Sequence, residues 1–405
     1  MKNNANGIFD RAAAVEIRED FLSSRQKQNN SKPEEYDEMA SYIRSSAVEN
    51  DLNRLKRGEF FFSAPRHFRI PKDFSQRKRD IYVWYGTEKY LLSLLCYLLR
   101  DYDSIFSPCL YSFRSKMNAH DFIRKLLRCP DTRKYYIVKA DISSYASSIV
   151  PEQILPQLKK IFQNDPGMYS LYEFLLLRRE CIERDGSLVK CEPGILGGNP
   201  LSNFLMNVCL MDLDTYYECH SPLYCRYSDD LIIFAENRAE AERYISFFQS
   251  VLKEKHLTVN PEKMRLIEPG EQVDILGYSL NQGILDIADH SRQKLLRKIR
   301  MHSKRLILAK KERHLTDREA AVQMTVYCNN LFFGKAGSNE LSWSRWIFPV
   351  INTIASLKEM DHYAQEAIRY VYCGSFSAKR YRLRYRDLQK MGYRSLVHEY
   401  YHFER

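Results

Sequence analysis

At 405 residues, with 44% hydrophobic residues, the chain is long enough to bury one large core or several smaller ones, which excludes a disordered protein. Its 62 Lys and Arg against 51 Asp and Glu give a net charge of +11, a balance that favours a polyanionic partner such as nucleic acid. No apolar leader opens the sequence, no eighteen uncharged apolar residues run together, and the ten cysteines are scattered without a C-x-x-C pair, so we expect a cytoplasmic chain with reduced thiols, neither secreted nor membrane-spanning.

Residues 1–35 end in the polar run "SSRQKQNNSKPEEY" and read as a linker or a loosely held helix, with the packed body beginning after them. "IYVWYGTEKYLLSLLCYLLR" (81–100) passes from alternation into a helical apolar period, and "NAHDFIRKLLRC" (118–129) repeats that period. "KYYIVKADI" is a buried strand running into Asp141. Residues 151–184 are helical by period, and "DGSLV" (185–189) is a turn. In "EPGILGGNPLSNFLMNVCLMDLD" (192–214) a Gly/Asn/Pro loop opens into an apolar helix ending near Asp214. "LYCRYS" and "LIIFAE" form a hairpin with Asp229 and Asp230 at its tip. A helix over "AEAERYISFFQSVLKEKH" leads to the strand-like pieces "LTVNPEKMRLI" and "VDILGYSL". Cys219, His220 and Cys225 are metal-ligand types in one region but lack paired zinc spacing.

After about residue 290 the composition changes. Between Arg292 and Arg313 stand ten basic residues against Glu312 alone, and the remainder is helix-like and rich in tyrosine. The expected organisation is a polar segment at 1–35, an α+β body at 36–290, and a basic helical domain at 291–405.

Two adjacent carboxylates raise each other's pKa when no counter-charge stands between them, and a divalent ion removes that cost. Mg²⁺ takes hard oxygen ligands, and a third acid ending a neighbouring strand lets two ions sit about 3.5 to 4 Å apart for in-line phosphoryl displacement. Asp141 is the candidate third acid. Taken alone, the Asp pair is also an ordinary turn.

The order of pieces adds to this. Asp141 at a strand end, a glycine loop into a helix (Gly194 to Ser202), "YSDD", "VNPEK" and then "ILGY" resemble the palm motifs of reverse transcriptases. Upstream, "IPKDFSQRKRDI" (70–81) looks like the fingers segment, and "YSFRSKMNAHDFI" (111–123) is similar to the Y-x-F-R segment of bacterial and group II intron-like members. The resemblance spans roughly 65–282 and implies a right-hand palm and fingers followed by an α-helical thumb or C-terminal domain. It makes Asp141, Asp229 and Asp230 the ligands of two Mg²⁺ ions, with Mn²⁺ as the alternative. Tyr227 would lie near the primer end. Lys72 and Arg79 would grip the triphosphate, with Arg77 and Lys78 as other registers, and Lys263 would protonate the leaving pyrophosphate. Tyr145, Ala146 and Gly198 would border the nucleotide, and "ILGY" is similar to the primer-grip hairpin.

Two departures matter. Where the family has G-x-P-Q-G, this chain has "GILGG" (194–198), so Leu196 and Gly197 replace the proline and glutamine. Where the family commonly has two adjacent aromatics after the first Asp, this chain has Tyr145 then Ala146, which leaves room beside the sugar and implies relaxed discrimination against ribonucleotides. Arg297, Lys298, Lys304 and Arg305, within the basic segment, are expected on a nucleic-acid backbone. The interleaved Arg and Tyr of 378–403 suit RNA or a packed helix pair, and a tyrosine hydroxyl could serve as a protein primer. We see no zinc-binding endonuclease, integrase or RNase H segment. "GYRSLVHEYY" looks like the bacterial defence-associated reverse transcriptases of the abortive-infection and unknown-group types. That implies antiphage defence, with DNA made from dNTPs on a dedicated non-coding RNA. The rival readings are a group II intron maturase-like protein and a catalytically idle RNA-binding scaffold.

Overall fold

The structure is a computed structural model that describes residues 7–26, 33–71, 78–129, 131–191, 194–335, 342–375 and 377–403. The chain divides into two compact units, Met1–Arg128 with Lys134–Pro269, and Cys129–Arg133 with Gly270–Arg405.

The first unit opens with helices α1 (Ile8–Ala13), α2 (Val15–Gln26), α3 (Pro33–Arg44) and α4 (Ser46–Lys56), followed by strands β1 (Arg66–Pro71) and β2 (Lys78–Val83) and helix α5 (Gly86–Leu98). After α6 (Ala119–Arg128) come β3 (Tyr136–Asp141), α7 (Tyr145–Ser148), α8 (Pro151–Ile161), α9 (Pro166–Leu177), β4 (Glu180–Ile182) and β5 (Leu188–Lys190). Helices α10 (Ser202–Cys209) and α11 (Met211–His220) lead to β6 (Tyr224–Tyr227), β7 (Asp230–Ala235), α12 (Arg238–Glu254) and β8 (Arg265–Ile267). Two sheets result: a fingers sheet of order β2-β1-β4-β5 and a palm sheet of order β6-β7-β3-β8. In the palm, β3 lies between β7 and β8 and is antiparallel to both, and its Val138 and Ala140 are fully buried. Ile137 and Val138, on opposite faces of the strand, are both buried, which is why β3 reads as an apolar run interrupted by Lys139 rather than as an alternating one.

The N-terminal expectation needs correction. Residues 8–26 are not loosely held, because Ile8, Phe9, Ala12, Phe21 and Leu22 are buried in the main core. The anchor is Asp165, itself buried, whose carboxylate accepts from Ile8 N at 2.6 Å and from Met168 N at 3.3 Å, capping α9 and tying α1 to it. The helical reading of 151–184 is also too long, since Glu180–Ile182 is a strand that pairs with β5 across the "DGSLV" turn. The apolar helix after the glycine loop continues past Asp214 to His220, with a break at Leu210.

The second unit holds the antiparallel sheet β11-β10-β9, with β9 (Val273–Ile275), β10 (Tyr278–Asn281) and β11 (Ile284–Ile287), followed by α13 (Asp289–Glu312), α14 (Asp317–Phe333), α15 (Trp343–Ile347), α16 (Ala355–Cys373), α17 (Tyr385–Lys390) and α18 (Leu396–Tyr401). The boundary falls at 269/270 rather than 290/291 because this sheet packs with the helices that follow it. Asn352 bridges them, donating from Nδ2 to Gly283 O at 2.9 Å and accepting from Leu285 N at 2.8 Å. A second tie is Asp361, buried on α16. It accepts from Tyr393 Oη (2.8 Å), Ser395 Oγ (2.6 Å) and the N–H groups of Leu396 and Val397, which fixes the start of α18.

Candidate active site

Asp141 ends β3 and lies directly opposite Asp230, the first residue of β7. The β6–β7 hairpin pairs Tyr227 with Asp230, which leaves Ser228 and Asp229 as the two-residue turn, with Ser228 in the left-handed region at φ +60°. The Asp229 carbonyl accepts from Ile142 N at 3.3 Å, holding the turn against the end of β3. Three carboxylates therefore converge at one end of two adjacent central strands.

They do not sit there comfortably. Burial, then the charges of Asp229 and Asp141, push the Asp230 carboxyl up to about 6, against the opposing pull of Lys263 and Lys139. Asp141 is only 4% exposed, and it accepts from Asn260 Nδ2 at 3.1 Å and pairs with Lys263 Nζ at 2.6 Å. Burial works against the Lys263 ammonium, but its bond to Asp141 and the charges of Asp141, Asp230 and Asp229 outweigh this and raise its pKa. The donor set is hard oxygen and carries an excess of negative charge, which fits a divalent cation such as Mg²⁺ or Mn²⁺.

Beneath the hairpin lies a buried support that sequence reasoning missed. Arg226 on β6 and Asp214 on α11 are both fully buried and form a two-pronged pair, Nε–Oδ1 at 2.7 Å and Nη2–Oδ2 at 2.5 Å. Tyr224 Oη donates to the same carboxylate at 2.8 Å, and Arg226 Nη2 also donates to Asn207 O at 2.9 Å. The backbone of Arg226 bonds Cys109 O and Tyr111 N, both at 3.0 Å, and Ser228 N donates to Ser112 Oγ at 2.8 Å. The "YSFR" segment thus holds the acidic turn from below, and Arg114 fixes that segment by donating to the carbonyls of Ser107 and Asp103, each at 2.7 Å. The signal in the sequence was an arginine inside the apolar run "LYCRYS".

The "GILGG" loop spans two elements. Ile195 N donates to Ala146 O at 2.9 Å on the α7 side, and Gly197 O accepts from Tyr82 N at 2.7 Å on the β2 side. Gly194 (φ +140°) and Gly198 (φ +110°) make this bridge possible, since a Cβ would stand 2.2 Å from Ser147 O and 2.5 Å from Tyr82 O respectively. Leu196 packs against the core. Tyr145, expected beside the nucleotide, is buried, and its hydroxyl donates to Met206 O at 2.6 Å. Ala146 is half-buried beside it.

Arg79 is exposed on β2 opposite Ile70, and Tyr227 is half-buried at the end of β6. Lys72 and Arg77 lie outside the described residues. Cys219, His220 and Cys225 form no metal cluster among the described residues: Cys219 and His220 are exposed on α11, and Cys225 is fully buried in β6. In the second unit, α13 buries Leu295, Ile299, Ser303 and Leu306, which places Arg297, Arg300, Lys304 and Arg305 on its exposed side, with Lys298 half-buried. Within that segment Arg292 pairs with Asp289 and Glu359, and Lys310 with Asp317 and the carbonyls of Val371 and Tyr372. Of the C-terminal tyrosines, Tyr393 and Tyr400 are core residues, whereas Tyr381 and Tyr401 are exposed.

An antiparallel palm sheet with acids at its hairpin tip, a fingers sheet and a helical C-terminal region define a right-hand polymerase. Residues 77–280 match the family described as "Reverse transcriptase (RNA-dependent DNA polymerase)", and the chain belongs to that family. No curated protein matches it by sequence. Similar solved structures include the apo telomerase of Candida tropicalis truncated from its C-terminal domain (15% identity, 56% of this chain and 55% of that one, TM-score 0.44). The apo telomerase of Candida tropicalis is 12% identical over 84% of this chain and 62% of that one, with a TM-score of 0.46. The telomerase of Candida albicans in complex with a TWJ fragment of telomeric RNA is 11% identical over 90% and 71%, with a TM-score of 0.43. The chain spans 55% and 62% of the first two, less than two thirds of their length.

Proposed function

We propose that this chain synthesises DNA on an RNA template, with Asp141, Asp229 and Asp230 holding two divalent ions. The observation that carries the reading is the convergence of three carboxylates at the β3 and β7 ends, one of them pushed up to about 6 by burial and by the other two. Bound Mg²⁺ would supply charge neutralisation to the triphosphate and polarise the attacking hydroxyl. The residues do the positioning. The Arg226–Asp214 pair and Ser112 fix the turn, and Asn260 orients Asp141. Lys263, raised in pKa, holds at Nζ a proton that departing pyrophosphate can take. Arg79, exposed on β2, meets triphosphate oxygens, and Gly197 and Gly198 hold the loop beside that strand.

Because the Tyr145 ring is committed to the core and Ala146 offers only a methyl group, ribonucleotides are discriminated against weakly. The exposed cations of α13 bind the template-primer backbone without reading sequence. The template is a dedicated non-coding RNA and the setting is bacterial antiphage defence, a reading supported by the "GYRSLVHEYY" segment and the basic, Tyr-rich C-terminal region. To test this, the protein is isolated from its host and the nucleic acid that co-purifies is sequenced. One dominant RNA together with complementary DNA, the DNA absent from Asp229→Ala, is expected. A mixture of RNAs without complementary DNA would contradict the dedicated-template reading.

A further inference from the structure

The fingers sheet carries a second cluster of chemistry-bearing side chains that polymerisation does not use. Strand pairing sets His67 on β1 opposite Tyr82 on β2, and Arg66 beside Ile182 on β4. Since side chains alternate along strands, Asp80, Tyr82, His67, Cys181 and Glu183 share one face of the sheet, joined at the end of β5 by Cys191. A ring nitrogen of His67, the Cys181 sulfur and a Glu183 oxygen all lie within 4.8 Å of one another, with His67 and Cys181 buried. The Cys191 N–H donates to Arg179 O at 2.9 Å, which continues the β4–β5 pairing by one residue and sets Cys191 diagonally across from Cys181 on that face.

This donor set differs in kind from the palm acids. Thiolate and imidazole suit borderline-soft ions such as Zn²⁺, which binds four ligands tetrahedrally, whereas Mg²⁺ takes oxygen. His67 is also oriented as a metal-ligating histidine is: Nδ1 faces Glu183 Oε1 at 2.8 Å while Nε2 bonds the Asp80 carboxylate at 2.8 Å, which fixes the ring. The stacked Tyr82 ring, 4.9 Å from that of His67, covers one side. We propose that His67, Cys181, Glu183 and Cys191 form a structural zinc site that staples three strands of the fingers. On binding, Zn²⁺ displaces one proton from each thiol and takes the place of the proton shared between His67 and Glu183, with Asp80 left as the outer partner of the ring. Cys191 stands three residues ahead of Gly194, and Tyr82 N already bonds Gly197 O, so the ion would fix the sheet at the root of the "GILGG" loop.

The competing account is a protonated His67 bridging two carboxylates, with the thiols as plain core residues. Cobalt distinguishes the two. The full-length protein is stripped with a chelator and titrated with Co²⁺, and thiolate-to-cobalt charge transfer is read in the near ultraviolet. One equivalent of Co²⁺ should bind with that band, zinc at one equivalent should displace it, and excess Mg²⁺ should not. Cys181→Ser and Cys191→Ser should each roughly halve the band, and the double variant should abolish it. Asp229→Ala, in the palm, and Cys225→Ser, in a buried cysteine elsewhere, should both leave it unchanged. Absence of a charge-transfer band in the wild-type protein, or a band that survives the double variant Cys181→Ser with Cys191→Ser, would overturn the proposal. Polymerase activity is not part of the readout, so failure here leaves the palm assignment standing.

Discussion

The Asp230→Asn variant, studied with chelator present, is expected to be more stable than wild type while making no DNA. The folded-state pKa of Asp230 is about 6 against an ordinary value of 3.8, driven by burial and then by Asp229 and Asp141. A raised carboxyl pKa means that the folded protein holds the proton more tightly than the unfolded chain does. Stability from this group is therefore complete below about 3.8 and is lost as pH rises through about 6. Two units at 1.36 kcal/mol each amount to about 3 kcal/mol forfeited at pH 8 by the metal-free wild type. Asparagine keeps the shape and removes the charge, so chemical denaturation at pH 8 should show Asp230→Asn up to about 3 kcal/mol more stable, with the difference vanishing near pH 4. Adding Mg²⁺ should stabilise wild type and leave the variant nearly unmoved. Equal stability of the two proteins at pH 8 without metal would refute the claim that the three acids repel one another in the folded state.

Arg226→Ala strands the buried Asp214 charge and should cost about 3–5 kcal/mol by denaturant midpoint, with Arg226→Lys recovering part of the stability but less of the synthesis rate, since lysine lacks the two-pronged geometry. Ala146→Tyr should raise the preference for dNTPs over NTPs in competition assays, and an unchanged ratio would remove Ala146 as the reason for relaxed selection. Replacing Arg297, Lys304 and Arg305 together by Gln should flatten the salt dependence of template-primer binding by roughly 0.7 to 0.9 in log–log slope for each phosphate no longer neutralised, and should leave the melting temperature nearly unchanged because all three are exposed.

The acids were legible because two local signals agree. A buried strand ending in Asp141 and a hairpin with Asp229 and Asp230 in its turn are each written within ten residues, and the pairing of β3 with β7 brings them together. The α13 helix was legible for the same reason: its apolar residues keep a helical period beneath the cations. What escaped was non-local. The N-terminal helices look polar and are held by an acid 157 positions away, a link no periodicity records. Strand β4 is three residues long, too short to interrupt the helical period read over 151–184, and β5, of the same length, overlaps the "DGSLV" turn. Arg226 and Asp214 read as an out-of-place cation and a helix-end acid until α11 and β6 are set side by side. His67, Cys181 and Glu183 span more than a hundred residues and meet only because β1 lies beside β4, with Cys191 brought to the same face by β5. The single tyrosine before Ala146 was legible as a departure, but only the buried hydroxyl bond to Met206 shows that its ring is committed elsewhere.

The most direct test of the central claim is primer extension by the purified protein on an RNA template with Mg²⁺ and dNTPs, run beside Asp229→Ala. Metal-dependent DNA synthesis by wild type, abolished in the variant while folding and RNA binding persist, is the expected result. Extension that survives loss of Asp229, or wild-type protein that binds template-primer and nucleotide yet extends nothing, would contradict it.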